Sequence, residues 1–342
     1  MREIKSNKNS FLTKIFIKIC RLFGFEIIDQ SNFTIPTSNK SLNQSISVPG
    51  KKSITLPLGE SEITRPIKSL DIILRTCASV NMLTQTKKRI FEYNKGEYTK
   101  RTLISIIKSI NQAKIIFKNV KFKVYIIDHN SGKNQITIMH EILKKSKIDF
   151  KILNLELDKF SSQIKKINEE NKEVTNNQKS NMSNIHQSLL HSRENSEDLI
   201  YFVEDDYIHE KSSIKEILYT YEKIASLTKN ELIICPADYP YLYTKSESTK
   251  IFLGENRHWR QIDQSLCTFL TSKKIIEKYW DELLSMCKYE HYPFEKPLHS
   301  IYRKELCISP IPSLAVHFTN INSIYGLSPN TDWKKLWDEN EN

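Results

Sequence analysis

Between residues 70 and 206 two periodicities alternate, and this limits the possible folds more than any other feature of the chain. The apolar, β-branched runs "LDIILRTCA" (70–78), "FKVYIIDHNSG" (122–132), "DFKILNLE" (149–156) and "DLIYFVEDD" (198–206) read as strands. Between them, "KRTLISIIKSINQAKIIF" (100–117), "NQITIMHEILKKS" (134–146) and "NMSNIHQSLLHSREN" (181–195) space their apolar residues as helices do. Residues 161–180 are polar and read as an exposed loop or insertion. Strand–helix alternation requires parallel pairing, hence an α/β sandwich. Ligands of such sheets sit at the carboxyl ends of the strands. Those ends carry Arg75 and Thr76, then Asp128, His129 and Asn130, then Glu204, Asp205 and Asp206, so one polar crevice is expected there. Beyond Tyr207 the reading continues with a helix at 212–225, an apolar run at 231–243 and a loop holding "NRHWRQ". A strand at 265–272, helices at 273–287 and 297–304 and a short strand at 314–318 complete it.

Composition removes several function classes. The seven glycines, at 24, 50, 59, 96, 132, 254 and 326, allow neither a GxGxxG fingerprint nor a GxxxxGK[ST] phosphate loop. The net charge of +11 suits phosphorylated ligands or an anionic membrane, but Lys, Ile and Asn abound along the whole chain, which compositional bias also explains. Nucleic acid is not an expected partner. Six cysteines without a CxxC pair fit reduced thiols of a cytoplasmic protein.

The segment "FLTKIFIKICRLFGFEII" (11–28) is apolar but interrupted by Lys14, Lys18 and Arg21, which share one helix face. It is too interrupted to span a bilayer, and no small-residue cleavage site follows it. Residues 1–28 therefore either lie on the anionic inner face of the cytoplasmic membrane, making the chain peripheral there, or pack on the protein. Residues 29–66 read as a linker with a short strand at 53–58. The expected organisation is helix and linker over 1–66, one domain over 67–333 and a tail over 334–342.

The triplet Glu204-Asp205-Asp206 ends a run whose Phe202 and Val203 should be buried. Adjacent carboxylates repel, and a cation relieves the repulsion. Helix capping and a solvated turn are the other readings of these acids; Mg²⁺ or Mn²⁺, which prefer oxygen ligands, is the metal reading. Arg257 and Arg260 offer guanidinium groups for phosphate or an anionic acceptor, and Trp259 offers a flat face for a sugar ring. The same three residues also suit a surface tryptophan packed between arginines.

From about residue 70 to 333 the layout resembles the glycosyltransferases of the GT-A fold, the family 2 group in particular. The resemblance implies a Rossmann-like mixed sheet flanked by helices. It also implies a nucleotide site at Arg75, Thr76, Asp128 and Asn130, since "DHNS" stands close to that family's D-[DN]-x-S. "EDD" takes the place of its DxD motif, with Glu204 and Asp205 toward the nucleotide-sugar. Asp206 and Glu204 are then metal ligands for Mn²⁺ or Mg²⁺, and His317, ending a late strand, completes the shell. Glu295 falls on an acid that opens a helix in the family. Lys296 stands where an Asp is usual, leaving Glu295, Glu290 and Asp238 as candidates for the catalytic base.

The expected function is metal-dependent, hexosyltransferase-like transfer from a nucleotide-diphosphate sugar, a UDP-sugar first, to a hydroxyl of a glycan or lipid-linked acceptor in cell-surface glycan synthesis. The alternatives are a non-catalytic nucleotide-sugar-binding protein, favoured by Lys296, and a metal-dependent phosphoryl transferase. The latter should place a lysine beside the acids from an adjoining strand, and the sequence offers no convincing one.

Overall fold

The computed structural model describes residues 11–25, 27, 50–55, 59–79, 90–244, 246–319 and 323–342. Most of the expected linker therefore lies outside the described residues. The chain divides into two compact units, residues 1–46 with 54–60 and residues 47–53 with 61–342. The elements are α1 (Phe11–Leu22), β1 (Lys52–Thr55), β2 (Gly59–Glu62), β3 (Ser69–Thr76), α2 (Lys95–Ile116), β4 (Lys121–Asp128), α3 (Lys133–Ser146) and β5 (Asp149–Asn154). There follow α4 (Leu157–Ser161), α5 (Asn176–Asn195), β6 (Leu199–Glu204), β7 (Tyr207–His209), α6 (Ser213–Thr228), β8 (Leu232–Ile234), β9 (Ile251–Leu253), β10 (His258–Gln261) and β11 (Phe269–Ser272). The last are α7 (Lys273–Lys278), α8 (Trp280–Lys288), α9 (Lys296–Tyr302), β12 (Leu306–Ile311), β13 (Ala315–His317) and α10 (Trp333–Asp338).

The larger unit is built on a nine-stranded mixed sheet in the order β5-β4-β3-β6-β11-β8-β12-β10-β9. β5, β4, β3 and β6 run parallel, as the alternation requires, because each crossover carries a helix. β11 runs antiparallel between β6 and β8, β12 is parallel to β8, and β10 and β9 close that edge antiparallel. The mixed α/β sheet flanked by helices is thus the observed fold class. The region around "NRHWRQ", expected as a loop, is the strand β10. Its backbone groups find partners on both β9 and β12, which local sequence cannot reveal.

β3 is buried along its full length, so Ile72, Ile73 and Leu74 follow one another without the alternation of a half-exposed strand. Full burial of each of Leu70, Ile72, Ile73 and Leu74 contributes roughly 1.5–3 kcal/mol. Strand order reverses at β3: β4 and β5 lie on one side of it and β6 on the other. The crevice above β3 and β6 is therefore the topological switch point, the place where such sheets bind ligands.

α5 begins five residues before the expected start, because Thr175 and Gln178 form a capping box. The helix is polar yet buried, and its Asn184 and Gln187 amides donate to the carbonyl oxygens of Ile127 and Asn154 near the strand ends (2.9 and 3.0 Å). The helix expected over 273–287 is broken at Tyr279 into α7 and α8.

β7 and β13 form a separate antiparallel ribbon that pairs Tyr207 with His317. Behind it, Leu336 and Trp337 of α10 pack with Tyr98, Ile208, Val316 and Phe318. Arg101 stacks 4.4 Å over Trp337 and donates to its carbonyl oxygen at 2.6 Å. The stretch expected as a tail therefore contributes to the core of this unit, because Leu336 and Trp337 are buried there.

Candidate active site

The three acids at the end of β6 each face a basic side chain of this chain: Arg75, Lys95 and His317. Glu204, 30% exposed, faces Arg75 across the β3–β6 register, with 3.0 Å between Oε1 and Nη2. The other guanidinium nitrogen of Arg75 donates to Asn181 Oδ1 at 2.9 Å. Glu204 also accepts from Thr268 Oγ1 at 3.3 Å. Asp205 turns inward: it meets Lys95 Nζ at 3.1 Å and accepts from Thr99 Oγ1 (3.0 Å) and the Cys77 N–H (3.2 Å). Asp206 faces His317, with 3.5 Å between Oδ2 and Nε2.

Lys95, from the first turn of α2, was missed by sequence reasoning. No strand-end pattern points to it, since the helix was expected to start five residues later. Burial pulls its pKa down, but Asp205 and Asp206 outweigh this and hold it above the ordinary lysine range. A lysine does therefore stand beside the acids, but it comes from a helix.

His317 is held in a defined tautomer. Its ring lies flat on Tyr207 at 4.6 Å and 4°, and its Nδ1 donates to the Tyr325 carbonyl oxygen at 2.7 Å. Nε2 is therefore the atom presented to Asp206. Burial disfavours the charged imidazole, yet Asp206 and then Glu204 raise its pKa. Tyr207 is itself fixed by a 2.7 Å bond between its hydroxyl and that of Tyr239.

Glu295 precedes α9 and lies within the electrostatic reach of Glu204, Arg75 and His317. Burial is the largest influence on its carboxyl; the Glu204 charge adds to it, Arg75 and His317 oppose it, and the result is a pKa of about 7. Lys296 points elsewhere and pairs with Glu169 at 3.0 Å. Glu169 also accepts from His291 Nδ1 and the Tyr292 N–H, both at 3.1 Å, which pulls its carboxyl down to about 2. Phe294 packs on Ile164, Val174 and Met182. The polar stretch expected as a free loop thus grips the segment that carries Glu295.

Several expected site residues are engaged elsewhere. Trp259 is 0% exposed, with its indole N–H toward Glu216, so it offers no face to a sugar; it lies on β10 inside the sheet. Arg257 donates to the carbonyl oxygens of Pro312 (2.6 Å) and Ser313 (2.8 Å) and pairs with Glu210. Arg260 pairs with Asp238 and lies 4.5 Å over the Tyr243 ring. Asp238 also accepts from the Tyr243 hydroxyl at 2.6 Å and is fully buried. Glu290 accepts from Asn168 Nδ2 (2.8 Å) and Gln178. Asp238 and Glu290 are thus engaged by partners of their own, whereas Glu295 faces Glu204, Arg75 and His317. Thr76 is buried and donates to Asp128 Oδ1 at 2.6 Å, while Asp128 Oδ2 accepts from the Ser131 N–H at 3.0 Å. Those two stitch the strand ends together and are not open contacts for a nucleotide. Asn130, at φ +60°, is exposed on the turn they hold. Asp205 is likewise an internal tie.

A cavity of about 470 Å³, lined in part by Arg65, Glu231, Lys274 and Glu305, opens at the opposite ends of the strands. Arg65 is already held there by Asp198 (2.5 Å) and Glu231 (3.0 Å), so that opening is not the site.

Among the described residues no group of three or more His, Cys, Asp or Glu is arranged to hold a metal ion. Asp206 and His317 nevertheless fit two positions of a shell. A separation of 3.5 Å is what two ligands with bonds of roughly 2.1 Å subtend at an angle of about 110°. The orienting bond from Nδ1 to a carbonyl oxygen is the support that ligating imidazoles commonly receive.

No protein-family model and no curated protein matches this chain. Among solved structures, a UDP-glucose pyrophosphorylase complexed with UDP-glucose is similar at a TM-score of 0.39 and 8% identity, over 80% of this chain and 98% of that one. The galactosyltransferase LgtC with donor and acceptor sugar analogs has a TM-score of 0.36 and 9% identity, over 79% and 95%. The bifunctional glycosyltransferase WbbM has 0.37 and 8%, over 83% and 53%.

Proposed function

We propose that this chain is a GT-A-type glycosyltransferase that moves a sugar from a nucleotide-diphosphate donor, a UDP-sugar in the first instance, to a hydroxyl of a glycan or lipid-linked acceptor. One observation carries the reading. Arg75, Glu204, Asp206, Glu295 and His317, up to 242 residues apart in sequence, meet at the carboxyl ends of the strands at the switch point.

Asp206 and His317 are the residues that would hold a divalent cation, and a carboxylate beside an imidazole suits Mn²⁺ better than Mg²⁺. A bound cation would supply Lewis-acid neutralisation of the diphosphate. The rest of the chemistry belongs to this chain. Glu295, poised at a pKa of about 7, accepts the proton of the acceptor hydroxyl as that oxygen bonds to the anomeric carbon. The bond from that carbon to the diphosphate oxygen breaks, and its electron pair leaves with the nucleotide. Arg75 holds Glu204 in place, and its charge keeps the pKa of Glu295 from rising further.

The test is nucleotide release. Protein supplied with UDP-sugars, Mn²⁺ and an acceptor should liberate UDP, and Asp206→Asn should abolish this. Binding of the donor without any release, across a panel of sugars and acceptors, would instead support the non-catalytic binder.

A further inference from the structure

α1 has a stripe of Phe11, Ile15, Ile19 and Leu22 at helical spacing, flanked by Leu12 and Phe16. These six are 40% to 85% exposed, and no residue of the helix is buried. In the other unit, amphipathic helices sink their stripes: α3 buries Met139 and Leu143, and α6 buries most of its length. After Leu22 the chain turns at Gly24 (φ +82°), with the Phe25 N–H donating to the Cys20 carbonyl oxygen at 3.0 Å. This helix-ending turn leaves Phe23 and Phe25 exposed as well.

Lys14, Lys18 and Arg21 lie together on the face beside the apolar stripe, and no acid occurs from residue 11 to 25. Twelve residues rise about 18 Å, short of the roughly 30 Å hydrocarbon core, so α1 cannot span a bilayer. Pairing with a second copy through this face would bring Lys14 and Lys18 of both copies together in one small interface. An anionic surface removes that repulsion and covers the apolar stripe at the same time.

We propose that residues 11–25 dock the chain onto an anionic lipid surface. Phe11, Phe16, Ile19 and Leu22 enter the boundary between headgroups and acyl chains, and Lys14, Lys18 and Arg21 face the lipid phosphates. Phe23 and Phe25 lie at the same level just beyond the helix. This inference is independent of the sugar-transfer reading.

The experiment is co-sedimentation of the full chain with vesicles of phosphatidylcholine alone or mixed with phosphatidylglycerol, at low and high salt. The chain should sediment with the mixed vesicles at low salt, and much less with neutral vesicles or at high salt. Lys14→Glu/Lys18→Glu/Arg21→Glu should lower the partition coefficient on the mixed vesicles by at least the order of 100-fold, at about fivefold per basic residue removed. Phe16→Ser/Ile19→Ser should lose binding to the mixed vesicles while keeping all three charges. Neither variant should shift the thermal unfolding of the chain, because α1 buries nothing. Equal sedimentation with both vesicle types, or no loss in the triple variant, would overturn the proposal. So would a dimer in ultracentrifugation that Phe16→Ser/Ile19→Ser dissolves, in a chain that binds neither vesicle.

Discussion

Glu295→Gln should make the protein more stable and nearly inactive, in a way that depends on pH. The folded pKa of Glu295 is about 7, against an ordinary 4.5, a difference worth roughly 3 kcal/mol. Its side chain keeps partial access to solvent, so about 2–3 kcal/mol is the working range. Because the folded pKa is raised, the folded state holds the proton more tightly than the unfolded chain does. The stabilisation is complete below 4.5, falls as pH rises toward 7 and is gone above it. Urea unfolding should therefore find the variant more stable than wild type by about 2–3 kcal/mol near pH 8, and close to it near pH 4.5. Activity should move the other way. Wild-type kcat/KM for UDP release should rise about tenfold per pH unit up to 7 and then level off. The glutamine variant should fall by about 10²–10⁴-fold and lose that limb. A wild-type profile that levels off near pH 5, or a variant with wild-type kcat/KM, would refute the assignment of Glu295 as the base.

Asp206→Asn should remove Mn²⁺-dependent UDP binding, read by calorimetry, while far-ultraviolet circular dichroism stays unchanged; binding with the same Mn²⁺ dependence would end the metal reading of this acid. Trp337→Ala should cost about 3–5 kcal/mol in urea unfolding, because it empties the space between Arg101 and Phe91, each 4.4 Å from its ring. Glu169→Gln should lower kcat several-fold with little change in melting temperature, since its partners Tyr292 and Lys296 flank Glu295; an unchanged kcat would show that the grip on that segment is dispensable.

Much of the first half was legible because its signals are local. The strands at 70–78, 122–132, 149–156 and 198–206 and the helices between them appear where periodicity puts them, to within a few residues. Most of the misreadings come from partners distant in sequence, and one from a local signal passed over. "NRHWRQ" has the composition of a binding loop, but its residues are consumed by the sheet edge, and Trp259 fills the core there. Thr175 and Gln178 were a readable capping box inside a stretch judged by its polarity alone. Asp238 and Glu290 look like candidate bases in one dimension, but Arg260, Tyr243, Asn168 and Gln178 neutralise or satisfy them in three.

By itself, the amino-acid order determined that β3, β4, β5 and β6 would pair in parallel and that their polar ends would share one edge of the sheet, because alternating periodicities leave that part of the chain no other way to bury its apolar runs. It also located the acids at 204–206 and the basic, apolar face of α1. It did not decide what each acid does. Asp205 and Asp206 are adjacent in the chain, and nothing local distinguishes them. One turns inward to Lys95, Thr99 and the Cys77 amide, and the other turns toward His317. That division, and the raised pKa of Glu295, arise from partners that only long-range packing brings near. An ionisable group's chemistry depends on the solvent excluded from it and the charges facing it, and both are properties of the folded molecule.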